Sequence, residues 1–89
     1  MAKKKVTPHR SLKVIAEEIY LDWKKVHYTA APYLEAMYSL DAISDNYFLD
    51  EGSDIVQRFL GNAGSWRGET ARRVKAELKK MLSDDWKNR

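Results

Sequence analysis

Apolar residues recur at helical spacing along most of the chain. Leu12, Ile15, Ile19, Trp23 and Val26 are separated by three or four residues, the spacing that places side chains on one face of an α-helix. The same spacing returns in three later stretches, at residues 33–43, 55–63 and 70–82. No stretch shows strand alternation of useful length, and there is no internal repeat. The spacing therefore predicts an all-α fold, a compact bundle of three to four short helices.

Capping residues predict where these helices begin. Ser11 is a good N-cap for the first helix, and Thr29 is a candidate for the second, because their hydroxyl oxygens can accept a hydrogen bond from a free backbone N–H. Asp50 or Ser53 is expected to cap the third helix. Ser65 is a candidate cap for the fourth, directly after a glycine-containing break.

These boundaries define the expected organisation of the chain. We expect a single helical domain over residues 11–86, preceded by a flexible basic arm over residues 1–10 and followed by a tail at 87–89. The short apolar run at 47–49, Tyr-Phe-Leu, is expected to lie in a loop and to tuck into the core.

Length and composition exclude several classes of protein. Eighty-nine residues are enough for one domain with a small core. Cysteine is absent, which excludes a disulfide scaffold, a thiolate metal site and a cysteine nucleophile. No apolar run reaches the roughly 18–20 residues that cross a bilayer, and no apolar signal core follows the basic start. We therefore expect a cytoplasmic protein.

Catalytic constellations are missing from the sequence. His9 and His27 are far apart and have no matching carboxylate motif, so no metal site is predicted. No glycine-rich phosphate loop follows a strand, and no nucleophile stands at a useful spacing from a base. We expect no enzyme, no cofactor and no small-molecule substrate.

Charge is distributed unevenly although the net charge is only +3. Residues 1–10 and 64–89 are basic, whereas residues 11–63 carry nine acidic and four basic side chains. One interpretation is that the acidic middle and the basic ends lie close together and balance. The other is that the basic ends form one face for an anionic partner such as nucleic acid.

The fourth predicted helix carries a basic ridge, which supports the second interpretation. Its cations project away from the apolar arc, with the small Ala76 among them, and a low centre lets a phosphate backbone approach. The alternative is a solvated face on which Glu69 and Glu77 pair with nearby arginines. The nucleic-acid hypothesis assigns contacts to Arg72, Arg73, Lys75, Lys79, Lys80, Lys3, Lys4 and Lys5.

A second candidate site is a set of residues suited to protein contact. Trp66 and Arg67 are residue types that dominate binding hot spots, and Arg67 is expected on the apolar side of the fourth helix beside Glu69. Tyr28 and Tyr33 flank the first turn, where an exposed aromatic pair could fill a groove on a partner. Alternatively, Arg67 pairs internally with an acid, and the tyrosines are half-buried.

Three stretches carry a resemblance to a known class of proteins. Residues 19–24 (IYLDWK), 31–37 (APYLEAM) and 65–72 (SWRGETAR) resemble small uncharacterised helical accessory proteins of phages and integrative mobile elements of Gram-positive bacteria. The resemblance implies a binding role in replication, transfer or inhibition of a host protein, with Trp66, Arg67, Gly68 and Glu69 as the positions of interest.

The sequence thus leaves three hypotheses for function. The first is a non-catalytic accessory protein that binds a protein partner of a mobile element or its host. The second is a nonspecific DNA- or RNA-binding module that uses the basic ridge and the N-terminal lysines. The third is a homo-oligomer whose exposed tyrosines form the interface. No membrane partner is expected.

Overall fold

Four helices form within residues 9–87, the part of the chain that a computed structural model of the protein describes. They are α1 (Leu12–Asp22), α2 (Ala31–Tyr38), α3 (Gly52–Gly61) and α4 (Glu69–Lys87). Each coincides with one of the apolar stretches, so the prediction of a mostly helical fold is confirmed. Residues 1–8 of the predicted arm, including its three lysines, lie outside the described residues, as do 88 and 89.

The helix ends differ from the predicted ends in several places. Ser11 caps α1 as expected, because its Oγ accepts a hydrogen bond of 3.1 Å from the Val14 N–H. The second helix is preceded by Ala30 and not by Thr29, and α3 is preceded by Glu51. Ser65 does not cap α4, which begins at Glu69. Helix α4 continues through Ser83, Asp84 and Asp85 and ends at Lys87.

A short hairpin corrects the expectation of an all-α fold. Strands β1 (Asn46–Tyr47) and β2 (Asp50–Glu51) pair antiparallel, with Tyr47 opposite Asp50. The two residues left between the strands form the turn, which we call the hairpin tip, Phe48 and Leu49. Strands of two residues are too short to show the alternation by which a strand is recognised in sequence.

The hairpin is tied to the start of α3 by a close backbone approach. The Gly52 N–H donates a hydrogen bond of 2.7 Å to the Asp45 carbonyl oxygen. A Cβ on residue 52 would lie 2.7 Å from the carbonyl oxygen of Ile43, so only glycine fits here. The hairpin is therefore held directly against the first turn of α3.

The core lies between the helices. Helix α1 packs against α2 and α4, and α3 packs against the same two helices. The loop after α2 satisfies backbone donors at the start of α1. Its Leu40 and Asp41 carbonyl oxygens accept hydrogen bonds from the N–H groups of Lys13 and Leu12, which have no partner within the helix. The largest fully buried side chains are Phe59, Leu12, Ile15, Ile19, Leu34, Met37, Leu78, Val56 and Val74.

No helix among the described residues is both long enough and apolar enough to span a membrane.

Candidate functional site

The structure places Trp66 in the core, which corrects its assignment as a partner contact. Its side chain is only 2% exposed. The ring stacks on Trp23 with a centroid distance of 5.8 Å and an interplanar angle of 11°, and it meets Phe59 edge-on. Its indole Nε1–H donates a hydrogen bond of 2.8 Å to the Asp22 carboxylate. Trp66 therefore joins the connection before α4 to the end of α1.

Arg67 and Glu69 lie on the surface beside Trp66. Arg67 was expected on the apolar side of the fourth helix, but that helix begins two residues later and Arg67 is exposed. The backbone turns at Gly68, whose φ of 114° is unfavourable for any residue with a Cβ. The motif Trp66-Arg67-Gly68-Glu69 thus combines a buried tryptophan with a turn and two exposed charged side chains.

The two tyrosines of the first turn do not form an exposed pair. Tyr28 is 81% exposed and stacks on the His27 ring at a centroid distance of 4.8 Å. Tyr33 is half-buried and packs against the core. Of these two tyrosines, Tyr28 is therefore the one that is largely exposed.

Internal contacts engage much of the basic ridge. Arg73 forms an ion pair with Glu18 of α1, and Lys80 pairs with Asp84 at 3.6 Å. Lys75 donates a hydrogen bond of 2.7 Å to the Trp66 carbonyl oxygen, and its ammonium lies 5.9 Å from the centroid of the Trp66 ring. Burial first, and then the positive charge of nearby residues, lowers the pKa of Lys75.

One of the two remaining cations of the ridge, Arg72, borders a shallow groove. Arg72 and Lys79 are exposed, and no ion pair joins either of them to another residue within 9–87. The groove has a volume of about 540 Å³ and is lined by Glu69, Thr70, Arg72, Arg73 and Ala76. Ala76 lies in this groove, and so does the acidic Glu69.

Glu18 on α1 pairs with two arginines, one on α4 and one in the segment before α1. It forms ion pairs with Arg73 on α4 and with Arg10, whose Nη2 lies 2.9 Å from Glu18 Oε1. Arg10 in turn donates two hydrogen bonds, of 2.7 and 3.0 Å, to the carboxylate of Glu77 on α4. The hydrogen bond from Arg73, more than that from Arg10, holds the pKa of Glu18 below its usual value, although burial opposes the shift.

We expect Glu18 to make stability dependent on acid. A carboxyl group whose pKa is lower in the folded than in the unfolded state stabilises the fold at pH values above its unfolded pKa, near 4.5. This contribution to the free energy of unfolding is lost as the pH falls through the folded pKa. Glu18→Gln should reduce the free energy of unfolding at pH 7 by about 1 kcal/mol and weaken its fall towards pH 3. Urea unfolding at both pH values measures this, with the exposed neighbour Glu17→Gln as the control. An unchanged acid-dependent loss in Glu18→Gln would contradict the assignment.

The hairpin tip is the most exposed apolar surface on the described residues, and it corrects the expectation that 47–49 tucks into the core. Phe48 is 84% exposed and Leu49 is 100% exposed, whereas Tyr47 is half-buried against the core. Phe48 also has a φ of 57°, in the left-handed region that residues with a large side chain rarely adopt. Its ring contacts Tyr47 edge-on at 4.8 Å. No sequence pattern marked Phe48 or Leu49 as a contact residue.

A second exposed apolar residue lies near the hairpin. Trp86, in the last turn of α4, is 76% exposed. It lines a groove of about 370 Å³ whose other side is formed by Glu51 of β2 and by Asp54 of α3. The hairpin and the end of α4 therefore border one surface region.

The described residues contain no group of side chains suited to hold a metal ion. No three His, Asp or Glu side chains within 9–87 are grouped closely enough to hold a metal ion. His9 pairs with the Asp84 carboxylate at 2.8 Å, and the His27 Nδ1 lies 2.7 Å from the Thr29 hydroxyl.

Comparison with known proteins gives no relative. No protein-family model, no curated protein and no solved structure matches the chain. The resemblance to mobile-element proteins therefore stays a prediction.

Proposed function

We propose that the protein is a non-catalytic protein-binding domain whose main contact surface is the hairpin tip. The observation that supports this most is the conformation of Phe48, a large apolar side chain in water on a left-handed backbone. Such a backbone costs of order 1–3 kcal/mol, and an exposed ring gains little in the folded monomer. Contact of Phe48 and Leu49 with a partner would bury both side chains and offset this cost.

The charge around the tip favours a protein over nucleic acid or an anionic membrane. From residue 26 to residue 57 the sequence contains six acidic side chains and no lysine or arginine. Asp50, directly beside the tip, is exposed. Phosphate groups approaching Phe48 and Leu49 would meet this negative charge, which opposes binding.

Tyr28, Arg67 and Glu69 remain candidates for secondary contacts, because all three are exposed. A further proposal rests on the resemblance alone. It is that the protein binds to the replication or transfer machinery of a mobile element, or inhibits a host protein. Self-association through tyrosines remains a further proposal, since Tyr20, Tyr28 and Tyr38 are exposed.

Photo-crosslinking from the tip tests the proposed function. A benzophenone amino acid placed at position 49 should yield a discrete adduct with one protein in cells that express the gene, because Leu49 would contact the partner. The same group at exposed Lys24 serves as the matched control. Adding Phe48→Gly should abolish the adduct at 49 while leaving the helical circular dichroism unchanged. No adduct at 49, or equal adducts at 49 and 24, would contradict the proposal.

The nucleic-acid alternative makes a different prediction through the basic ridge. Because Arg73, Lys75 and Lys80 already have partners, we expect only weak binding, with no saturation below about 100 μM oligonucleotide near 0.15 M salt. Fluorescence anisotropy with single- and double-stranded oligonucleotides over a salt series measures this. Micromolar binding that falls steeply with salt and is lost in Arg72→Ala/Lys79→Ala, but kept in Lys24→Ala/Lys25→Ala, would favour the alternative.

A further inference from the structure

Four cations gather where the connection before α4 meets that helix. Arg72, Lys75 and Lys79 lie within about 60° of arc around α4, because residues three and four positions apart share one side of a helix. Arg67 joins them, since the Lys75 Nζ lies 2.7 Å from the Trp66 carbonyl oxygen, on the peptide group that Trp66 shares with Arg67. We call these four basic residues the cation cluster.

The positive charge of the cation cluster is not balanced within the described residues. No ion pair joins any of its members to a carboxylate within 9–87. Glu69, in the first turn of α4, lies about 120° around the helix from Lys75, on the far side of Arg72. Burial, and then the positive charges of Lys79 and Arg67, lower the pKa of Lys75, and no carboxylate among the described residues acts against them. An anion bound among these charges would relieve their mutual repulsion.

Lys75 is the most constrained member of the cation cluster. Its side chain is half-buried, and its ammonium lies 5.9 Å from the centroid of the Trp66 ring. An ammonium group has three N–H donors, and the Trp66 carbonyl oxygen accepts one of them, so two are left for a ligand. Arg67 and Arg72 are exposed, and a guanidinium group can bind two oxygens of one anion. The cluster thus combines a held ammonium with two accessible guanidinium groups.

We infer that the cation cluster is a binding site for a dianionic phosphate group, carried by a phosphate monoester. Such a group places two negative charges and three acceptor oxygens on one phosphorus atom, which suits several cations close together. A carboxylate carries a single charge, and a nucleic-acid strand spreads single charges along its length. The site is separate from the hairpin tip, so this inference goes beyond the proposed function and does not depend on it.

Titration of the nitrogen-15-labelled protein with inorganic phosphate tests the site. At about pH 8, where phosphate is mainly dianionic, we expect the amide signals of residues 66–69 to shift and to saturate. The expected dissociation constant is about 1–10 mM at low ionic strength, the range of a single small anion. Acetate at the same ionic strength should give no saturation below about 100 mM, because it carries one charge.

Variants of the protein assign the binding to the cation cluster. Lys75→Gln should weaken phosphate binding at least about tenfold, because it removes the held charge. The double variant Arg72→Gln/Lys79→Gln should also weaken it about tenfold, and it changes only exposed side chains. Lys87→Gln is the matched control that should have no effect, since Lys87 is exposed on the same helix roughly 18 Å from Lys75. Circular dichroism checks the folding of each variant, and the double variant decides if Lys75→Gln unfolds.

Two further probes distinguish the sources of such a phosphate group. They are free O-phosphoserine and a short peptide with phosphoserine between leucines, beside a twin peptide with glutamate in place of phosphoserine. Equal binding of free phosphoserine and the phosphopeptide would support the site and identify its ligand as a small phosphate monoester. Binding of the phosphopeptide at least about tenfold more tightly would support the site and identify the ligand as a phosphorylated protein partner.

Four outcomes would overturn the inference. They are no saturation by phosphate below about 100 mM, an effect of Lys87→Gln as large as that of the double variant, and equal binding of the phosphopeptide and its glutamate twin. The fourth is micromolar binding of an oligonucleotide that is lost in Arg72→Ala/Lys79→Ala, because the cluster would then belong to a nucleic-acid surface. None of these results affects the adduct expected at position 49, so the proposed function stands or fails separately.

Discussion

Replacing Trp66 by alanine is expected to reduce the free energy of unfolding by about 3–5 kcal/mol. The change removes the ring that stacks on Trp23 and meets Phe59, and it leaves a cavity among residues already in contact. It also deprives the Asp22 carboxylate of the indole N–H, and Lys75 of the ring beneath its ammonium. Domains of this size have total stabilities near the lower end of about 5–15 kcal/mol, so the variant should be close to unfolding.

Urea unfolding followed by far-ultraviolet circular dichroism measures this loss. Trp86→Ala is the matched control, because the same substitution on the exposed Trp86 should change the free energy by no more than about 0.5 kcal/mol. Equal losses for the two variants would show that Trp66 is not a core residue. That result would restore Trp66 as a candidate partner contact.

Gly52→Ala is expected to reduce the free energy of unfolding by about 2 kcal/mol. The new Cβ would lie 2.7 Å from the Ile43 carbonyl oxygen and 3.0 Å from that of Asp45, and both atoms belong to the backbone. Relief requires the segment just before β1 to move away from the start of α3, which weakens the hydrogen bond from the Gly52 N–H to the Asp45 carbonyl oxygen. The substitution should therefore also reduce binding at the hairpin tip.

Gly61→Ala is the control, because it is expected to change the free energy of unfolding in the opposite direction. A Cβ on Gly61 has no neighbour within 4 Å, and alanine is the better helix former. At this helix end we expect a gain of about 0.5 kcal/mol in the free energy of unfolding, measured by the same urea titration. A gain for Gly52→Ala, or equal losses for both variants, would contradict the close approach at Gly52.

The helices could be predicted from the sequence because their apolar spacing is a local signal. The ends were less predictable, since they depend on distant contacts. Helix α1 ends at Asp22 although the apolar spacing continues to Val26. Trp23 leaves the helical conformation and stacks on Trp66, a residue far along the chain whose position no local pattern indicates.

Most of the candidate site could not be predicted from the sequence. An apolar run such as residues 47–49 is usually buried, so its hydrophobicity predicted a place in the core. The available signal was the flanking polarity, with Asp45 and Asn46 before the run and Asp50 and Glu51 after it. Conversely, the preference of interfaces for tryptophan suggested Trp66 as a contact residue, whereas its ring is buried against Trp23 and Phe59.

The charge pattern was partly interpretable. Balance between the basic ends and the acidic middle was one of the two interpretations, and the ion pairs of Arg10 and Arg73 with Glu18 agree with it. In place of the pairs predicted within the fourth helix, Arg73 pairs with Glu18 of α1, and Glu77 pairs with Arg10 in the segment before α1. Such contacts between helices require the tertiary structure, because spacing along one helix cannot show them.

According to the proposed function, Phe48 contacts another molecule and does not stabilise the fold. The most direct measurement is urea unfolding of Phe48→Ala and Phe48→Gly beside the wild type. We expect Phe48→Ala to lie within about 1 kcal/mol of the wild type, and Phe48→Gly to be about 1 kcal/mol more stable than Phe48→Ala, because glycine adopts a positive φ without strain. A loss of 2 kcal/mol or more in Phe48→Ala, roughly the value of a buried side chain, would contradict the claim.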